Sequence, residues 1–177
     1  MPDPRKVFVI HGRNKRARDA MFTFLRALHL QPIEWEVARS FTKKPSPYIG
    51  EVLDAAFNEA RAVVALFTGD DEARLRPQLL GPGEEEETLI PQARPNVLFE
   101  AGMAVGRFRE RTVFVYLGKQ RDFSDIAGVH VVRITNGPES RKELAQRLKD
   151  AGCDVDMTGN DWLSVGDFDA AIVKPAT

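Results

Sequence analysis

Three short segments carry the residues that could do chemistry. The first, His11-Gly12-Arg13, closes an apolar run. Gly12 lets the backbone turn sharply and approach a ligand, the following helix offers unpaired N–H groups, and Arg13 adds a planar cation suited to a phosphate. These are the parts of a diphosphate site, and equally those of a tight turn with an arginine on the surface. His11 alone reads as a strand-end histidine as readily as a catalyst. The second segment is Thr68-Gly69-Asp70-Asp71. Its carboxylates can hold ribose hydroxyls or a divalent ion, or simply cap the next turn. A magnesium-dependent phosphoacceptor would need acidic residues after the first strand, where this chain has a histidine and an arginine. No metal site is therefore expected. The glutamates at 84–87 read as a solvated face, since successive loop residues converge poorly on one ion.

The third segment is Arg94-Pro95-Asn96-Val97-Leu98-Phe99-Glu100-Ala101-Gly102. Asn96 is a good N-cap, so a helix is expected from Val97, with Glu100 at the end of its first turn. Val97, Ala101, Ala104, Val105 and Phe108 form an apolar stripe, and Glu100 falls about 40° from Ala104, at its border. Its carboxylate is expected to be partly buried beside the core. Gly102 and Gly106 each lower helix propensity by roughly 1 kcal/mol, a hint that something approaches this helix closely. By pattern alone the simpler account of Glu100 is a charge that complements the helix macrodipole.

The elements that must position these segments follow from periodicity. Residues 7–10 and 62–67 are continuous apolar runs, as is the strand at 112–117, and all three read as strands buried on both faces. Residues 32–37 alternate, with Ile33, Trp35 and Val37 on one side, and 129–134 partly alternate, as edge strands do. Helical spacing runs from Ala17 to Leu28, from a start at Ser46-Pro47 to Ala60, after Asn96, and over 138–151. Residues 39–45 read as a basic loop and 72–93 as a long surface insertion. Strands alternating with helices predict an α/β fold, a five-stranded parallel sheet in the flavodoxin-like order 2-1-3-4-5. The ligand crevice of such a sheet lies at the carboxyl ends of strands one and three, which the first two segments share. Residues 1–151 are expected to form this domain, with 152–177 an unassigned C-terminal extension.

Composition excludes more than it identifies. The chain has 177 residues, a formal net charge of -1, 43% hydrophobic and 29% charged residues, so neither a polyanion nor a membrane surface is expected as partner. One cysteine, Cys153, rules out an internal disulfide and fits a reducing compartment. No signal-like leader or membrane-length apolar run is found, and a cytoplasmic location is expected.

Taken in order, the three segments together with Ser124-Asp125-Ile126-Ala127-Gly128 resemble the nucleotide-binding TIR-like family of bacteria. That family includes TIR effector domains of cyclic-nucleotide-triggered antiphage systems of the CBASS and Pycsar types. The resemblance covers roughly residues 5–135. Gly69 stands where many members have proline, and the insertion around 84–87 is long.

The resemblance implies an enzyme that hydrolyses NAD at the nicotinamide–ribose bond, with NAD as substrate and no cofactor. Its catalytic residue would be Glu100, the glutamate of the Phe-Glu-x-Gly motif. His11, Gly12, Arg13, Thr68, Gly69, Asp70 and Asp71 would contact the nucleotide. The leaving nicotinamide departs from a pyridinium as a neutral molecule, so no general acid is required, unlike ordinary glycoside hydrolysis. The resemblance also implies activation by assembly through TIR–TIR contacts. The loop Arg39-Ser40-Phe41-Thr42-Lys43-Lys44 corresponds to the segment that often controls it. A separate sensor domain or partner would detect the trigger, such as a cyclic nucleotide. The alternative is a non-catalytic module that binds a nucleotide or another TIR surface.

Overall fold

Val7-Phe8-Val9-Ile10 lies at the centre of β1 (Asp3–His11), and all four side chains are buried. A strand apolar on both faces needs cover on both sides, and the computed structural model supplies it with helices packed over each face of the sheet. The structure describes residues 1–83, 88–123 and 128–173. The glutamates at 84–87 and the motif residues 124–127 lie outside the described residues.

β1 is followed by α1 (Lys15–Ala27), β2 (Gln31–Ile33), α2 (Trp35–Phe41), α3 (Ile49–Glu59) and β3 (Ala60–Thr68). Then come β4 (Asp71–Ala73), β5 (Ile90–Gln92), α4 (Pro95–Phe108), β6 (Thr112–Leu117), β7 (Val132–Ile134) and α5 (Pro138–Asp150). The main sheet is parallel with order β2-β1-β3-β6-β7, which is the expected order with β6 and β7 as its fourth and fifth strands. One face carries α1, α5 and the segment after α5; the other carries α2, α3 and α4 over Phe8, Ile10, Val63, Ala65 and Phe67.

The fifth strand is shorter than expected, beginning at Val132, and three further differences concern elements around the cleft. The second strand ends at Ile33, and Trp35 and Val37 belong to α2. Under helical spacing Ala38 is fully buried and Phe41 packs on the core, while Trp35 and Val37 are exposed. Alternation over three apolar residues could not distinguish this from a strand. Ser46-Pro47 precedes α3 rather than starting it. The helix begins at Ile49, where Glu51 reaches back to accept from the Tyr48 N–H at 3.1 Å. In α4 the proline, not Val97, takes the first helical position and Arg94 is the N-cap, so Glu100 lies in the second turn.

The insertion is anchored at its base, where β4 and β5 form an antiparallel pair. The segment after α5 also joins the fold. Cys153, Trp162, Phe168 and Ala171 are buried with α1 and α5. Fully buried Arg141 donates to the carbonyls of Asn136 (3.2 Å), Trp162 (3.2 Å), Val165 (2.5 Å) and Gly166 (2.7 Å). Its guanidinium also lies 5.0 Å from the Phe168 ring centroid.

Candidate functional site

Glu100 is brought to the sheet by the stripe of α4. Val97, Ala101 and Ala104 are buried against β1 and β3, and the carboxylate beside them is half-buried. It opens into a cleft of about 260 Å³ lined by Phe8, Val9, Ile10, His11, Ile33, Trp35, Ile49 and Glu100. The cleft lies at the carboxyl ends of β1 and β2, on the face covered by α2, α3 and α4. Among the described residues no cation or hydrogen-bond donor partners Glu100. Burial without compensation pushes its carboxyl up to about 7. Gly102 and Gly106 do not reflect a close approach: a β-carbon on either would meet nothing within 4 Å. They line a groove on another side of α4, with Leu98 and Val105.

His11 is the second titratable group on the cleft wall. Its Nδ1 lies 2.9 Å from the Gly12 carbonyl, which fixes Nδ1 as the donor and leaves Nε2 as an acceptor. Burial lowers its pKa, and the ring packs edge-on to Phe22 at 6.4 Å.

The remaining residues expected to contact a nucleotide also make contacts within the chain. Asp70 accepts from the N–H groups of Arg13 (2.5 Å) and Asn14 (3.3 Å), so its carboxylate occupies the position at the start of α1 where a phosphate was expected. Its other oxygen, Oδ1, is buried without a hydrogen-bond partner among the described residues. Gly12 stands against this carboxylate, and Arg13 is exposed. Thr68 is buried, and its carbonyl accepts from Asp70 N–H at 2.9 Å. Gly69 lies under the returning β5, where a β-carbon would come within 2.7 Å of Pro91 Cβ. Asp71 pairs with Arg94 at 3.5 Å and so ties β4 to the cap of α4, the helix that carries Glu100.

The segment expected to be a regulatory loop is mostly helical. Ser40 and Phe41 form the last turn of α2, with Ser40 Oγ donating to the Val37 carbonyl at 2.7 Å. Thr42 is the C-cap and donates to the Arg39 carbonyl at 2.8 Å, and Lys43 follows in the left-handed region with φ 54°. What sequence reasoning missed is Trp35, Ile33 and Ile49 as cleft residues. Trp35 was visible only as part of an apparent strand, and its position depends on the chain turning into α2.

Among the described residues no group of three or more His, Cys, Asp and Glu side chains could hold a metal ion. No helix among them is long and apolar enough to cross a membrane.

The family model described as "CAP12/Pycsar effector protein, TIR domain" matches residues 6–136. Over 156 residues the chain is 26% identical to "Uncharacterized protein YuaY" of Escherichia coli K12, covering 88% of this chain and 48% of that protein. Over 152 residues it is 26% identical to "Protein tirC" of Dictyostelium discoideum, covering 81% of this chain and 69% of that one. The chain thus spans about half the length of YuaY.

Proposed function

The chain belongs to the CAP12/Pycsar effector TIR-domain family, and on that premise we propose that it is an NAD+ nucleosidase acting through Glu100. The observation that carries the reading is a half-buried carboxylate, unpaired among the described residues, in a cleft beside the carboxyl end of β1. In the reaction the bond between ribose C1′ and the pyridinium nitrogen breaks. Its electron pair neutralises the ring, which leaves as nicotinamide. Water then adds at C1′ and releases a proton, giving ADP-ribose. Charge on the ribose is oxocarbenium-like as the bond opens, and a fixed, half-buried carboxylate in the cleft stabilises it. About 3 kcal/mol of such stabilisation is worth on the order of a hundredfold in rate.

His11 presents an acceptor Nε2 on the same wall and would hold a ribose hydroxyl or the attacking water. Arg13, exposed two residues further on, would meet the diphosphate. Gly12, Thr68, Gly69, Asp70 and Asp71 build the turn and the β4–β5 base that set these groups in place. The antiphage role, activation by self-association and the partner that senses the trigger belong to the same reading. The segment from Ser40 to Lys43 is the proposed regulatory element.

The deciding experiment follows nicotinamide by chromatography at high protein concentration with NAD+. Wild-type chain should release it, and Glu100→Gln should reduce release at least a hundredfold with the fold retained. Unchanged release by Glu100→Gln would remove Glu100 from the chemistry. No release in any assembled state would favour a binding module.

A further inference from the structure

The cleft that holds Glu100 has an aromatic lip. Trp35 is the first residue of α2 and remains 40% exposed. A single exposed aromatic is ordinary; what sets this one apart is the space it shares. Apolar walls from Phe8, Ile10, Ile33 and Ile49, the indole and a lone carboxylate line one cleft of about 260 Å³. Among the described residues the indole has no ring partner and no cation over its face. Trp162, by contrast, is buried with α1 and α5, and its Nε1 donates to the Gly159 carbonyl at 2.8 Å.

The geometry points to Trp35 as the seat of the nicotinamide ring, stacking its indole face on the pyridinium while Glu100 meets the ribose. This rests on the NAD reading above. The scissile bond joins the ribose carbon directly to the ring nitrogen, so a carboxylate acting at that carbon has the ring within a few ångströms. At about 260 Å³ the cleft lies just below the usual range of ligand pockets, with room for a ribose and one ring rather than a whole dinucleotide. Tryptophan offers the best aromatic face for a cation. Part of the attraction is to the charge and fades as the ring becomes neutral, while the stacking area is kept until the ring departs, so substrate and transition state are held nearly alike. The contribution of Trp35 therefore belongs in KM rather than in kcat.

The test uses the full chain. NAD+ titrated into Glu100→Gln should quench tryptophan emission, whereas ADP-ribose, which lacks the pyridinium, should not. Trp35→Phe in the same background should lose the quench, leaving only buried Trp162 to emit. In turnover Trp35→Ala should raise KM for NAD+ on the order of tenfold with kcat changed less than about threefold, and Trp35→Phe should recover most of the loss. Equal quenching by NAD+ and ADP-ribose, or an unchanged KM in Trp35→Ala, overturns the ring seat and leaves the Glu100 assignment standing. A quench by NAD+ alone in a chain that releases no nicotinamide upholds the seat and removes the catalytic reading.

Discussion

Asp70 Oδ2 lies 2.0 Å from the point where a β-carbon on Gly12 would stand. The same oxygen accepts the Arg13 N–H at 2.5 Å, so glycine and carboxylate form one turn that joins β1 to α1 across the end of β3. A methyl group at Gly12 would have to displace the carboxylate from the N–H groups it caps. Gly12→Ala is therefore expected to lose on the order of 2–3 kcal/mol of stability. Urea unfolding checks this through the midpoint at constant slope. A variant as stable as the parent would mean that the turn is not close-packed.

Arg141 is the corresponding anchor for the segment after α5. Its guanidinium is buried and satisfies the carbonyls of Trp162, Val165 and Gly166. Arg141→Met keeps an apolar stem but leaves those acceptors without a donor, each worth about 1–3 kcal/mol if it stays dry. The expected result is a loss of about 3 kcal/mol or more, with amide exchange rising first at residues 162–171. Uniform exchange across the chain would show that this segment does not open on its own.

The sequence made some of this legible and hid the rest for physical reasons. Continuous burial wrote β1, β3 and β6 into runs such as 62–67, and the edge position of β7 followed from its alternation, whereas the alternation assigned to β2 lies mostly in α2. The half-burial of Glu100 follows from its place at the border of a helix stripe, whereas its catalytic role rests on the Phe-Glu-x-Gly resemblance and not on the pattern. Asp70 was left between ribose contact and cap because the choice depends on Arg13 and Asn14, more than fifty residues away in sequence. The segment after residue 152 has no period, since it is held by short turns and by carbonyls given to Arg141. Such bonds leave no trace in side-chain polarity.

The proposed catalysis through Glu100 requires the carboxylate, and burial pushes its carboxyl up to about 7. Below that value most molecules carry a protonated, ineffective acid. The rate of nicotinamide release at low NAD+ is therefore expected to fall about tenfold per pH unit below 7 and to level off above about 8. A kcat/KM profile over pH 5–9 checks it. A flat profile would mean that the carboxylate titrates near its ordinary value or takes no part.

The same shift sets a stability cost whose sign can be worked out. Folding raises the Glu100 carboxyl from 4.5 to about 7, so the folded state holds this proton more tightly than the unfolded one. Below 4.5 the group is neutral in both states and costs nothing; as pH rises through the interval the folded state is progressively penalised, and above 7 the penalty is complete. Glu100→Gln removes the charge and keeps the shape. It should leave stability near that of the parent at pH 4 and raise it at pH 8. The shift alone would permit about 3 kcal/mol, and solvent reaching the open cleft reduces this to on the order of 1–2 kcal/mol. Thermal or urea unfolding of both chains at the two pH values measures it. A glutamine variant that is less stable at pH 8 would show that Glu100 has a partner in the folded chain, contrary to the lone carboxylate on which the catalytic reading depends.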